Sequence, residues 1–497
     1  MIEGKVNTLM KISVTTRLPK SLEATVVTMS EGSAPQLNTL KSAVAKDISA
    51  EISRRKLKGT LGEVTVVRLH TKSPCEHAII VGTGKEDNLE TWRAVTAASI
   101  RAARGHAFTA IGMFLPGTAA ATHELADAIA EAAHLTSYRY TKHQSSPQRP
   151  RDVTLHLVTT AGKLPAAKHG VLEGTIEAEA AMLARDLVNE PPSLLTPRHL
   201  AAAARRIGRA SGLTVSVLGK KQMERLGFNA TLAVAKGSDE EPCFIKVSYA
   251  PRRAKKHVVL VGKGVTYDAG GINIKPTRGG SLEDMKMDMA GAAAVLATLS
   301  ALPRRKIPVK VTAYVAATEN LLGGSAYKPG DVVRAYNRKS IEITNTDAEG
   351  RLTLADALSY AVAKDKPDVI IDLATLTGAA IVALGDKIAA LFSNNDELAR
   401  ALWKASKQSG ERIWKLPLPH DYNEMIKGRI ADLDNSGASG AGTITAALFL
   451  QNFVGTTPWA HLDIAGPAFA SKDSGYLARG GTGFGVRLLL EYLESLE

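Results

Sequence analysis

The chain is poor in cysteine, and that scarcity excludes two classes of protein at once. Cys75 and Cys243 are its two cysteines among 497 residues. They stand far apart, with no CxxC spacing and no histidine partner, so they support neither a disulfide framework nor a thiolate zinc site. No uninterrupted apolar run reaches the length of about 18 residues that a membrane-spanning helix needs. The opening residues, MIEGKVNTLMKISVTTRLPK, lack an apolar core followed by a small-residue cleavage site, so no secretory leader is expected. Internal repeats and low-complexity tracts are missing too. With 45% hydrophobic and 22% charged residues the composition is ordinary for a globular protein. A cytoplasmic location with no membrane partner is expected.

Positive charge is present in excess, and unevenly. Of the formal +13, residues 1–170 carry +8, from 22 Lys/Arg against 14 Asp/Glu. A basic first domain could meet DNA or an acidic surface. Apart from RRKLK at 54–58 the charges are scattered, however, and a solvated face is the commoner reason for scattered charge.

A chain of this length exceeds one ordinary core, so two domains of unequal size are expected, 1–170 and 171–497. The first alternates strand-like runs (63–70, 77–84, 107–115, 152–160) with helical ones (90–105, 121–135), which predicts a small α/β domain. The turn VGTGKED carries a lone GxG and is read as a tight turn. The boundary is expected near 162–175, a stretch rich in Gly, Pro and Lys, with a helix following over 175–190 and stopped by Pro191 and Pro192. A further helix is expected after Thr196 and Pro197. In the larger domain, strands are predicted at 243–250, 257–264, 309–318, 368–375 and 459–466. Their near-continuous apolar runs suit strands covered on both faces, an α/β/α layer with a mixed, largely parallel central sheet.

Two stretches carry chemistry. In NTDAEGRL (345–352), Asp347 and Glu349 lie one residue apart, followed by Gly350, Arg351 and a helical run over 352–364. Carboxylates spaced i, i+2 cannot share a helix face, but in a loop they can converge. An arginine at a helix start favours a bound anion. Taken alone, the stretch is equally a capped helix start. The second, VGKGVTYDAGGINIKP (261–276), leaves the end of a predicted strand, where ligand sites of open α/β sheets lie. It brings Lys263, Asp268 and Lys275 amid glycines at 262, 264, 270 and 271, with Gly279 beyond. Asp288 follows in MKMDMAGAAAVLATL, at the head of an Ala-rich helix whose small side chains permit close packing on the sheet. Alone it reads as readily as a helix-start carboxylate. Four carboxylates facing one cavity would repel and tend to protonate, whereas two divalent cations balance four negative charges. Oxygen ligands without Cys or His suit Mn²⁺, Mg²⁺ or a carboxylate-bound Zn²⁺. A lysine can join only as the neutral amine, which a neighbouring dication would enforce.

Together, NTDAEGRL, VGKGVTYDAGGINIKP and MKMDMAGAA resemble the leucyl aminopeptidase family, the two-metal M17 peptidases. The resemblance extends from RDLVNEPPSLLTP through ATENLLGGSAYKPGDVV and LATLTGA to WAHLDIAGPAF and GGTGFGVRLL, and so covers essentially all of the second domain. It implies that Asp268 and Glu349 bridge two metals, Lys263 and Asp288 complete the tighter site, and Asp347 completes the more exchangeable one. It implies that Lys275 polarises the scissile carbonyl and that Arg351 holds a bicarbonate ion acting as general base. Thr375, Leu376 and Gly378 would line the substrate cleft and Met285 would floor its first pocket, although a Met there is more often core. Peptides with a free N-terminus, Leu preferred, are the implied substrates, and a homohexamer the implied assembly. Two departures stand out. Lys275 and Asp288 are thirteen positions apart, two more than the resemblance implies, with the extra pair assigned to TRGGSLED and Asp284 as a competitor for the role of Asp288. Ser193 stands where the resemblance implies Asn, in a structural turn. Two other readings remain: a DNA-binding or regulatory protein on a peptidase scaffold, and an inactive paralogue. The intact set of seven metal and catalytic positions speaks against the second.

Overall fold

A computed structural model describes residues 9–33, 42–70, 75–117, 120–146, 152–277, 281–437 and 439–496. The chain divides into two compact units, 1–179 with 472–478, and 180–471 with 479–497. The division falls inside one continuous helix, Leu164–Asn189, so the Gly/Pro/Lys-rich stretch expected as a boundary is helical instead. Pro165 stands in that helix's first turn, where a missing N–H costs nothing. The next helix, Pro197–Ser211, begins as predicted, with Thr196 extended before Pro197; the Thr196 hydroxyl, however, bonds to the side chains of Glu240 and His199 rather than to a backbone amide of the helix.

The first unit is a six-stranded sheet in the order Lys11–Thr15, Thr154–Val158, Ala110–Phe114, Ala24–Ser30, His77–Gly84, Val64–Arg68. Each neighbouring pair is parallel except the last. Alternate side chains go to opposite faces. Val26, Ile79 and Val81 meet Trp92, Val95 and Ile129 of two helices on one side, while Val27, Ala78 and Ile80 meet Val44 and Ile48 on the other. The strand Ala24–Ser30, in the middle of this sheet, was not among the expected ones.

The second unit is built on eight strands, ordered Ile413–Lys415, Ala389–Ser393, Trp459–Asp463, Val369–Ala374, His257–Asp268, Lys310–Asn320, Cys243–Tyr249, Thr214–Gly219. The four central strands, from Trp459–Asp463 to Lys310–Asn320, run parallel, and the flanks turn antiparallel. Helices cover both faces. The helix Gly350–Asp365 closes one core around Val259, Val261, Leu352, Ala355 and Leu358. Ala290–Arg305 covers the other face at very short range, as its small residues predict. A methyl group on Gly291 would come within 2.0 Å of the Leu373 carbonyl oxygen, and one on Gly262 within 2.6 Å of the Ala292 backbone. The stretch Leu282–Arg305 is long and apolar enough to cross a membrane by length and composition, but 78% of that window is buried inside the protein. Both cysteines are buried.

Candidate metal centre

The two chemical stretches meet at the carboxyl ends of the central strands. Strand His257–Asp268 delivers Lys263 from its interior and Asp268 from its end. The following loop turns back through Gly270 (φ +90°) and Gly271 (φ +66°), left-handed conformations that side chains disfavour. That turn returns Lys275 to the strand end, where its amide donates to the Ala269 carbonyl. Asp288 comes from the short 3-10 segment Met285–Met289 that leads into the Ala-rich helix. Asp347 and Glu349 come from the segment ahead of the helix Gly350–Asp365.

Carboxylate oxygens of Asp268, Asp288 and Glu349 lie within 4.8 Å of one another, and all three residues are buried. Lys263 Nζ stands 2.7 Å from Asp288 Oδ1 and 2.8 Å from Glu349 Oε1, and donates to the Thr375 carbonyl at 3.0 Å. Lys275 Nζ stands 2.7 Å from both Asp268 Oδ2 and Asp347 Oδ1. Burial works against the charge on each lysine, but the surrounding carboxylates outweigh it and hold both pKa values above the usual lysine range. Burial is also the main cause raising Asp268, Asp288 and Asp347, with neighbouring carboxylates adding to it. Glu349 occupies the N-cap position of its helix yet makes no side-chain bond to it. Its carboxylate faces Lys263 and joins the carboxylate cluster rather than capping its helix. Gly350 is required beside it, because a Cβ there would lie 2.4 Å from Lys263 Cε.

Four carboxylates against two ammonium groups leave a buried deficit of positive charge. Among the described residues, Asp288 Oδ2 and Glu349 Oε2 are buried with no hydrogen-bond partner. Buried carboxylate oxygens without partners are costly unless a cation meets them. Such carboxylate donors suit a hard divalent ion. Arg351 is buried in the first turn of its helix, its Nη1 reaching the Ser436 carbonyl at 3.4 Å and its Nε without a partner among the described residues. Burial lowers its pKa to about 10, so the guanidinium stays charged at neutral pH.

The remaining expected positions fall around this centre. Thr375 is buried, and its hydroxyl donates to Asp288 Oδ1 at 2.7 Å. Leu376 is half-buried and Gly378 exposed at the head of a short helix, Gly378–Leu384. Met285 is half-buried at the start of the 3-10 segment that packs on strand His257–Asp268. Asp284 is exposed and stands outside the carboxylate cluster, so Asp288 takes the place for which the two competed. Within TRGGSLED, the stretch assigned the extra pair, residues 278–280, Gly279 included, lie outside the described residues.

Several supporting residues escaped sequence reading. Asn320 Nδ2 donates to Asp268 Oδ1 at 2.8 Å and to the Thr346 carbonyl at 3.0 Å. Tyr327 donates to the same carbonyl. Asn435, fully buried, accepts from the amides of Thr344 and Asn345 and donates to the carbonyls of Asn345 and Ala348. Asn320 might have been read from its place at a strand end level with Asp268; Asn435 sits in a loop without periodicity.

A two-unit α/β protein with buried carboxylates converging at the strand ends is a divalent-metal enzyme. Comparison with known proteins makes this particular. Residues 182–490 match the cytosol aminopeptidase family, catalytic domain, and residues 26–147 the same family's N-terminal domain. A probable cytosol aminopeptidase of Thermosynechococcus vestitus is 45% identical over 449 residues, covering 90% of each chain. One from a Picosynechococcus species is 42% identical over 480 residues, covering 95% of each. Among solved structures, the bottromycin maturation enzyme BotP in complex with Mn is 36% identical with a TM-score of 0.85, covering 96% of this chain and 100% of that one. A point mutant of tomato leucine aminopeptidase is 32% identical with a TM-score of 0.87, covering 98% and 96%. The chain belongs to the cytosol aminopeptidase family, and its activity is that of a metal-dependent aminopeptidase.

Proposed function

We propose that the protein releases N-terminal residues from peptides in the cytoplasm, leucine preferred but with broad tolerance, at a centre of two divalent ions. Manganese and zinc fit the donor set best, with magnesium a third candidate. The observation that carries the reading is the buried carboxylate trio with partnerless oxygens, flanked by two lysines. Asp268 and Glu349 would bridge the ions, Lys263 and Asp288 would complete one site, and Asp347 the other. When bound, two divalent ions supply a Lewis acid for the scissile carbonyl and an attacking hydroxide near neutral pH.

The chain's own groups do the rest. Lys275 keeps its ammonium, because the carboxylates around it oppose the effect of burial, and presents it to negative charge developing on the carbonyl oxygen. Lys263 has to lose its proton to act as a ligand, so metal binding would release protons. Arg351, charged and with Nε unpartnered, would hold a bicarbonate ion that serves as general base. Thr375, Leu376 and Gly378 would form the cleft wall, and Met285 the floor under the first side chain. An apolar pocket discriminates by only about 1–3 kcal/mol per methylene, hence the broad specificity. A homohexamer is the proposed assembly.

The test is hydrolysis of a leucine anilide by chelator-treated protein, followed by restoration with Mn²⁺ or Zn²⁺ and a count of bound metal. Folded protein that binds the ions and still leaves the anilide intact would sink the reading. A second role, binding of duplex DNA, is supported by the +8 balance of residues 1–170.

A further inference from the structure

The end of the strand Trp459–Asp463 carries a buried carboxylate that touches none of the residues assigned to the metals. Asp463 is 0% exposed, and no ammonium or guanidinium group bonds to it among the described residues. Five donors converge on it instead. Oδ1 accepts from the amides of Leu376 at 3.1 Å, Thr377 at 3.4 Å and Ala465 at 3.2 Å. Oδ2 accepts from the hydroxyls of Thr377 at 2.6 Å and Thr443 at 3.2 Å. Hydrogen bonds to an ionised acceptor are stronger than neutral ones, so this fan of donors is a firm anchor.

What it anchors matters. The preceding residue, Thr375, is already fixed to the metal centre through its hydroxyl on Asp288 and its carbonyl on Lys263. The residue after Thr377 opens the short helix Gly378–Leu384. Leu376 and Thr377 are thus held from below by Asp463 while Thr375 is held from the side by the metal ligands. We propose that Asp463 is a positioning residue for substrate selection: it sets the height of the 375–378 wall above the metal centre, and with it the grip on the first side chain of the peptide. The inference rests on the aminopeptidase reading and on 375–378 as the cleft wall. It goes beyond both by assigning selectivity to a group that meets neither substrate nor metal.

The experiment compares leucine and alanine anilides on Mn²⁺-loaded protein, with bound metal counted and the affinity for leucine hydroxamate measured by calorimetry. Asp463→Ala is expected to lower the leucine-to-alanine ratio of kcat/KM about tenfold, a change the size of one to two methylene contacts. The KM for the leucine substrate and the Kd of the hydroxamate should rise together, with kcat and the metal count nearly kept. Asp463→Asn, which retains an oxygen for the three amides, should return the ratio to within about twofold of the parent. If Asp463→Ala does not fold, Thr377→Val removes the 2.6 Å link together with the hydroxyl's cap on the Ala380 amide, leaves the three amides on Asp463, and should lower the ratio by a smaller factor. A folded Asp463→Ala or Thr377→Val protein with the parent's ratio and hydroxamate Kd overturns the inference. So does a loss of metal in proportion to the loss of activity, or an Asp463→Asn protein no better than the alanine variant. A metal-loaded parent protein inactive on both anilides overturns the aminopeptidase reading itself, and is distinguished by that control.

Discussion

Asp347 and Arg351 stand four residues apart, yet their side chains meet different partners. Asp347 is ion-paired with Lys275 and stands among the carboxylates, while Arg351 turns away toward the Ser436 carbonyl. Asp347→Asn should therefore abolish turnover and lower metal occupancy. Arg351→Ala should slow turnover while both metals stay bound, and a metal count showing emptied sites would refute its anion-holding role. Another single residue governs acid sensitivity in the first unit. His134 is buried, and burial lowers its pKa to about 4. Its Nε2 lies 3.1 Å from the Thr175 hydroxyl, which already donates to the Val171 carbonyl, so the imidazole is the donor and the ring is neutral. The folded pKa lies below the unfolded value of 6.5, so the unfolded chain binds the extra proton first. The stability this site contributes is present above about pH 6.5 and is lost as pH falls toward 4, to the extent of about 3 kcal/mol. Urea midpoints at pH 7 and pH 4.5 check this: His134→Gln should lose less stability on acidification than the parent, and equal losses would contradict the assignment.

The elements show what a sequence can and cannot reveal. The residues of the carboxylate cluster were legible because each lies in a short contiguous stretch, a glycine-dense loop at a strand end or acids at a helix start, whose bland readings weaken only when the stretches are taken together. Their supports were not legible. Asn435 reaches the 344–348 segment across some ninety residues of chain, and Asp463 reaches Leu376 across a similar span. Only the sheet order brings such segments together. The strand Ala24–Ser30 escaped for another reason, since its seven residues, ATVVTMS, mix apolar and hydroxyl side chains without strict alternation and so do not declare their state by periodicity. The stretch 162–175 is rich in Pro and Gly and yet helical from Leu164 onward, because Pro is tolerated in a helix's first turn and Gly at close helix contacts. Gly170 and Gly174 are such contacts, where a Cβ would meet the backbone of the helix Thr122–Ser137 at 2.0 and 2.3 Å. The Asn435 clamp leads to a prediction about the segment it holds. Asn435→Ala would strand the amides of Thr344 and Asn345 and the carbonyl of Ala348, at about 1–3 kcal/mol for each group left unsatisfied, while the Asn345 carbonyl keeps the Ala348 amide. The segment carries Asp347 and leads directly into Glu349, so weaker metal binding in a chelator competition should accompany the lower melting temperature. Asn435→Asp keeps the acceptor and loses both donors, and should fall between. Unchanged metal affinity in a destabilised Asn435→Ala protein would confine the clamp to stability.

At the scale of the whole molecule the open question is the surplus of positive charge. The run of four basic residues at 54–58 looks like a nucleic-acid contact in sequence, but the structure discounts part of it. Arg54 and Arg55 both pair with Glu51, so one carboxylate already engages two of the four charges. Glu63 accepts from the backbone amides of Lys58 and Gly59, bringing a further negative charge to the end of the run. A patch so diluted neutralises few phosphates, and each phosphate contact contributes about 0.9 to the salt slope of binding. The expected outcome is retention on duplex DNA at low salt, with a shallow slope and near-complete release by about 0.2 M salt. Lys56→Glu combined with Lys58→Glu should abolish that retention without changing anilide hydrolysis, since both side chains belong to the first unit and the metal residues to the second. A slope of many phosphates, or retention that survives the double change, would show that DNA meets a different and larger basic surface. Absence of retention even at low salt would remove the second role and leave peptide hydrolysis as the chain's single proposed activity.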